Sequence, residues 1–156
     1  MAYEIERKFL VLGSDWKNLA PGIYYKQGYL STDPECTVRV RIEGTVAKLT
    51  VKGKNDGITR LEFERPITLS AAKELFASID PKTVVEKISR KIPFQGKLWE
   101  VDEFLGKNEG LTLAEIELQS LDEVFLKPSW IGKEVSDDPR YFNSYLADHP
   151  YKTWQS

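Results

Sequence analysis

The 156-residue chain is 41% hydrophobic and 29% charged, a balance that excludes intrinsic disorder and suits one domain, residues 1–156, rather than two. Its 22 basic and 24 acidic residues leave a net charge of −2, without the basic excess expected of a nucleic-acid partner. No apolar run approaches the roughly 18–20 residues of a membrane helix, no apolar leader follows Glu4, and the single Cys36 cannot pair within the chain, so a cytoplasmic protein with no membrane partner is expected.

Alternating apolar and polar residues rich in β-branched and aromatic types predict strands over Tyr3–Val11, Ile23–Leu30, Cys36–Glu43, Val46–Lys54 and Thr59–Leu69. A helix follows, capped by Ser70, running through Ala71, Ala72, Leu75, Phe76 and Ile79 and stopping before Pro81. Strands resume at Thr83–Pro93, Lys97–Phe104 and Leu111–Gln119. Ser120 and Glu123 form a capping box that predicts a short second helix containing Val124 and Phe125. Asp138-Pro139 predicts the start of a third, with Tyr141, Tyr145 and Leu146. Short linkers such as Gly44-Thr45, Asn55-Asp56-Gly57 and Lys107-Asn108-Glu109-Gly110 favour antiparallel hairpins.

What alternates with the apolar residues is charge. Glu4, Glu6 and Lys8 share one face of the first strand, Arg39, Arg41 and Glu43 of the third, and Lys48, Thr50, Lys52 and Lys54 of the fourth. Arg60, Glu62 and Glu64 follow on the fifth, Lys87 on the sixth, Glu100 and Asp102 on the seventh, and Glu115 and Glu117 on the eighth. A solvated face of an ordinary antiparallel sheet also alternates, but here the charges are nearly continuous and sorted by sign. Like charges two residues apart repel, so Glu4/Glu6, Glu62/Glu64 and Glu115/Glu117 call for a divalent cation, and Arg39/Arg41 and Lys52/Lys54 for an anion such as phosphate. The single His149 excludes His-ligated metal sites and Ser-His or Cys-His catalysis, which leaves the chemistry to carboxylates, Lys, Arg and Tyr. Closing the strands turns every charged set toward one lumen. The fold class expected is mainly β (α+β): an eight-stranded antiparallel closed barrel with a charged lumen and about three covering helices.

Glu4-Ile5-Glu6-Arg7-Lys8 is the E-x-E-x-K motif that marks the CYTH proteins, or triphosphate tunnel metalloenzymes. The resemblance continues in order through Val38-Arg39-Val40-Arg41, Leu49-Thr50-Val51-Lys52, Leu61-Glu62-Phe63-Glu64, Trp99-Glu100-Val101-Asp102 and Ala114-Glu115-Ile116-Glu117, and ends with Trp130–Val135 and Arg140–Asn143. In compact length the chain resembles the family's bacterial tripolyphosphatase branch. Where the family shows K-x-R on the sixth strand, this chain has Lys87-Ile88-Ser89-Arg90, so either a bulge turns Arg90 inward or the lumen has one phosphate clamp fewer.

The resemblance implies divalent-metal-dependent hydrolysis of a small anionic triphosphate, inorganic tripolyphosphate foremost, with Mg²⁺ or Mn²⁺ as cofactor. Glu4, Glu6 and Glu117 resemble a first metal site, and Glu64, Asp102 and Glu115 a second that activates water. Arg39, Arg41, Lys52 and Lys87 read as phosphate clamps; Lys8 is assigned by the motif, and Tyr29 stands where related tripolyphosphatases carry a Tyr that works with that Lys. Glu62, Glu100, Lys54 and Arg60 share these faces without an assigned role, and Lys133 and Arg140 fall either at the tunnel mouth or on the surface. Trp16, Trp99, Trp130 and Trp154 read as packing residues. Class IV adenylate cyclase, nucleoside or thiamine triphosphatase, and a non-catalytic polyphosphate-binding barrel are the alternative readings; a homodimer is compatible with all of them.

Overall fold

The computed structural model describes residues 2–56 and 58–154; Gly57 of the predicted hairpin turn, Met1, Gln155 and Ser156 lie outside them. Eight strands form at the predicted places: β1 (Ala2–Val11), β2 (Ile23–Ser31), β3 (Cys36–Glu43), β4 (Val46–Gly53), β5 (Thr59–Ile67), β6 (Val85–Phe94), β7 (Lys97–Phe104) and β8 (Thr112–Glu117). Each pairs antiparallel with its neighbours in the order β5-β4-β3-β2-β6-β7-β8-β1, and β1 closes the barrel by pairing back onto β5. β1 does this with one edge, Ala2–Ile5, while its other edge runs along β8 from Glu6 to Leu10. A ninth strand, β9 (Ile131–Glu134), takes up the stretch of β1 beyond β5, around Phe9 and Val11. At four residues it is too short for a period to show in the sequence.

The outward faces of the barrel are largely apolar and are covered over much of their area, leaving Tyr24 and Leu30 exposed and Val51, Leu61 and Phe63 half-buried. Trp16, Trp99, Trp130 and Phe9 pack with Ile92, Val101, Ala114 and Ile116 beneath β9 and the 119–130 loop. Helix α1 (Leu69–Ser78) seals a second cluster around Val40 and Ala47 with Ala72, Leu75 and Phe76. It comes so close to β2 that a Cβ on Gly28 would collide with the Ile79 side chain. At one end of the barrel Trp154 joins Tyr141 and Tyr151 against a third cluster, this one on the inward side.

The covering elements differ from expectation in three ways. The cap of α1 is Thr68, whose Oγ1 accepts from the Ala71 N–H at 3.0 Å, because Thr68 has the extended backbone a cap requires and Ser70 is already inside the helix. The capping box at Ser120 does not form: Glu123 Oε1 accepts from the Gln119 N–H at 2.6 Å, the Ser120 hydroxyl donates to Asp122 at 3.0 Å, and no helix follows. Only Phe125 finds a surface to bury there, against Phe9 and Trp99; Val124 is 86% exposed, and Pro128 disfavours helix at the residue before it. Asp138 caps the third segment as predicted, but Pro139–Tyr141 forms a single 3₁₀ turn before α2 (Asn143–Asp148) begins.

This last segment matters for the interior. Leu146 and Ala147 of α2 pack with Val135 against inward-facing Tyr29, Val85, Phe104, Leu111 and Leu113, all at one end of the barrel. The lumen is therefore charged over most of its length and apolar where α2 covers it.

Candidate active site

Period-two alternation is kept along each wall strand, so the charged sets enter one cavity of about 390 Å³. Its walls carry Glu4, Glu6 and Lys8 from β1, Tyr29 from β2, Arg39 and Arg41 from β3, Lys52 from β4, Glu64 from β5, Lys87 from β6, and Glu115 and Glu117 from β8. Arg60, Glu62 and Glu100 also line it. Asp102 points inward but lies behind this wall, 1% exposed, with Oδ2 2.7 Å from Lys87 Nζ.

Strand register converts sorting by sign into pairing. Lys52 stands opposite Glu62 across β4–β5 and contacts Glu4 Oε1 at 2.7 Å and Glu62 Oε2 at 3.6 Å. Lys8 stands opposite Glu115 and lies 3.5 Å from it. Lys48 bridges Glu43 and Glu64, and Arg41 also reaches Glu43. Most of the charges thus pair with one another around the lumen.

The acidic set is nevertheless more than its cations can neutralise. Burial, then repulsion from Glu115 and Glu4, pushes the Glu6 carboxyl well above its ordinary range. Glu62 is raised to about 6 by burial and Glu4, and Glu100 to about 7 by burial, Asp102 and Glu115. Burial acts upward on Glu115 too, but Lys8, Lys87 and Lys52 outweigh it and bring the group down to about 2. Carboxyl groups held upward by burial and then by one another's charge are a fitting donor set for a hard divalent cation. Among the described residues no three of them converge as a ready cage; Glu4, Glu115 and Asp102 instead contact Lys52, Lys8 and Lys87. On the basic side Arg39 is 8% exposed and gives one bond to Thr50 Oγ1 at 3.3 Å, while its buried Nε has no partner among the described residues. An anion would fill that position.

On β6 the register with β7 is unbroken: Lys87, Ser89 and Lys91 face inward opposite Phe104, Asp102 and Glu100. No bulge turns Arg90. It lies outside over the Trp16 ring and bonds Glu103 at 3.1 Å, and Ser89 is buried inside with an unpartnered Oγ. The lumen lacks that arginine, and Lys91, 3.7 Å from Glu100, is the next cation along the same face. Counting on by two from Lys87 would have found Lys91.

Two other polar groups, Asn143 on the cavity wall and Gln27 behind it, carried no sequence signal. Gln27, fully buried on β2, receives Arg41 Nε at 2.9 Å, and Asn143 receives Lys87 Nζ at 2.9 Å. Lys8 and Tyr29 are not bonded to each other: Lys8 Nζ donates to the Tyr141 carbonyl at 3.1 Å, and the Tyr29 hydroxyl accepts from Gln27 Nε2 at 3.2 Å. Lys54, Lys133 and Arg140 stay outside; Arg140 pairs with its neighbour Asp138.

The model of the CYTH domain matches residues 2–142. The chain belongs to the CYTH family. Among its CYTH relatives, the inorganic triphosphatase of Acetivibrio thermocellus is 50% identical over 155 residues, 99% of each chain. That of Nitrosomonas europaea is 36% identical over 148 residues, 92% of this chain and 96% of the other. The crystal structure of an inorganic triphosphatase, 34% identical, superposes with a TM-score of 0.67 over 92% of this chain and 96% of that one. The closed barrel is thus that of a CYTH protein, and its β6 face carries Ser89 between Lys87 and Lys91.

Proposed function

We propose that this CYTH chain, acting through residues 1–156 as one unit, hydrolyses inorganic tripolyphosphate to pyrophosphate and phosphate with the help of Mg²⁺ or Mn²⁺. The observation that carries the reading is one cavity in which a crowded carboxylate set and a buried, under-partnered arginine face each other. Resemblance over nearly the full chain to two inorganic triphosphatases supports it. A substrate made only of phosphate uses the charge that lines most of the lumen.

Arg39, Arg41, Lys52 and Lys87 clamp phosphate oxygens, and two of them must exchange partners to do so. Lys52 leaves Glu4 and Glu62, and Lys87 leaves Asp102. Each exchange releases carboxylate oxygens: Glu4, with Glu6 and Glu117, for one ion, and Asp102, with Glu64 and Glu115, for a second. A divalent ion bound there would neutralise charge on the transferring phosphoryl group and lower the pKa of the attacking water. Lys8, beside Glu115 and anchored on Tyr141, keeps a positive charge at the phosphate that reacts, and Tyr29 holds the Gln27 side chain behind it. The unpaired Cys36 is compatible with a reducing cytoplasm.

Phosphate release measured from tripolyphosphate, ATP and thiamine triphosphate with each metal tests the substrate. Faster release from tripolyphosphate is expected; equal or faster release from ATP, or cyclic AMP as its product, would replace the reading.

A further inference from the structure

We infer that Asn143, delivered by the C-terminal segment rather than by the barrel, is a binding residue of the triphosphate site, its amide nitrogen donating to a phosphate oxygen beside Lys87. The inference rests on the reading of Lys87 and Arg41 as clamps. Asn143 lines the cavity, and its Oδ1 accepts from Lys87 Nζ at 2.9 Å and from Gln27 Nε2 at 2.9 Å.

The direction of these bonds is forced from both ends. Lysine and arginine side chains donate and never accept. Arg41 Nε therefore requires the carbonyl oxygen of Gln27, at 2.9 Å, which turns the Gln27 amide nitrogen toward Asn143 and the Tyr29 hydroxyl. Lys87 likewise requires the carbonyl oxygen of Asn143. Neither amide can flip without setting a donor against a donor. Gln27, with no exposed surface, locks the arrangement.

The consequence lies at the other end of Asn143. Both of its oxygen contacts are taken, and its Nδ2 has no bonding partner among the described residues although the residue faces the lumen. The site thus presents a neutral N–H donor next to a lysine, at the place where the family pattern's second β6 cation is absent and Ser89 stands instead. A neutral donor selects a phosphate oxygen by geometry without adding charge beside Lys87, which is already paired with Asp102.

The test compares Asn143→Asp, which keeps the shape and the acceptor for Lys87 and Gln27 but loses the donor, with Asn143→Leu, which removes both without adding charge. The expected result for hydrolysis of tripolyphosphate with Mg²⁺ is a KM raised about 10- to 100-fold in Asn143→Asp and severalfold in Asn143→Leu, with kcat changed less. The melting temperature of Asn143→Asp should stay within about 4 °C of wild type. A purely structural role would move the melting temperature and leave KM alone. Wild-type KM in either folded variant overturns the inference. Lys87→Ala separates the two failures: a raised KM there beside wild-type KM in the Asn143 variants overturns only the role of Asn143. Wild-type KM in all three also overturns the clamp reading on which it rests.

Discussion

Lys87 and Asp102 show what a single charged side chain does in this barrel. Both are 1% exposed, and their 2.7 Å contact is backed on the lysine side by Asn143. Removing one member would leave the other charged, buried and alone, a loss of about 3–5 kcal/mol. Lys87→Met is therefore expected to lower the melting temperature by about 10 °C, and Lys87→Met combined with Asp102→Asn to recover most of it. Thermal unfolding of both proteins checks this, and equal midpoints for wild type and Lys87→Met would contradict it. At this scale most of the lumen was legible, because alternation by two sorts Glu4, Glu6 and Lys8 or Arg39 and Arg41 onto one face without any tertiary knowledge. The same rule carried past Lys87 gives Ser89 and Lys91 and leaves Arg90 outside, as the structure has it. The partners were not legible. Nothing in the sequence says that Lys52 will meet Glu4, since the pair spans β1 and β4 across the closed barrel.

At the scale of elements, strands were readable because period and hairpin turns reinforce each other, and coverings were not because they depend on what they cover. The Ser120–Glu123 pair did not close into a capping box, Glu123 binding the Gln119 N–H instead, and a short segment of marginal propensity gave way to one aromatic side chain packing on Phe9 and Trp99. The start of α1 is a finer case of the same kind: Thr68, not Ser70, has the extended backbone and the bond to Ala71. Thr68→Ala should cost about 1 kcal/mol, a fall of about 2–4 °C in melting temperature, with hydrolysis at room temperature unchanged. Ser70→Ala should leave the melting temperature in place; a larger loss from Ser70→Ala than from Thr68→Ala would reverse the assignment.

Across the whole molecule, the barrel stores like charge on its inside and apolar surface on its outside, and stability must answer to what occupies the lumen. With Glu62 raised to about 6 and Glu100 to about 7, the folded protein binds more protons than the unfolded chain between the ordinary carboxyl value of 4.5 and those values. More protons on the folded side make the slope of stability against pH negative, so these two groups withdraw stability as pH rises from about 4.5 to about 7. Glu4, Glu43 and Glu115 act oppositely: lowered by Lys52, by Arg41 with Lys48, and by Lys8 against the pull of burial, they lose stability only as pH falls below 4.5. A divalent cation must displace the retained protons, so its stabilisation should grow with pH across the same interval. Melting temperatures with and without Mg²⁺ at pH 5, 6, 7 and 8 measure the difference; a difference that stays flat or shrinks would show that the crowded carboxylates do not receive the ion.

The central claim, that the carboxylates of β1 work with a metal on a triphosphate in this lumen, is tested most directly by the Glu4→Gln/Glu6→Gln double variant. Both side chains keep their shape and lose their charge; Glu6 is pushed up by burial, Glu115 and Glu4, and the Gln oxygen at position 4 can still accept from Lys52. The account predicts a folded protein that no longer releases phosphate from tripolyphosphate at any Mg²⁺ or Mn²⁺ concentration. Full metal-dependent turnover by that variant would contradict it.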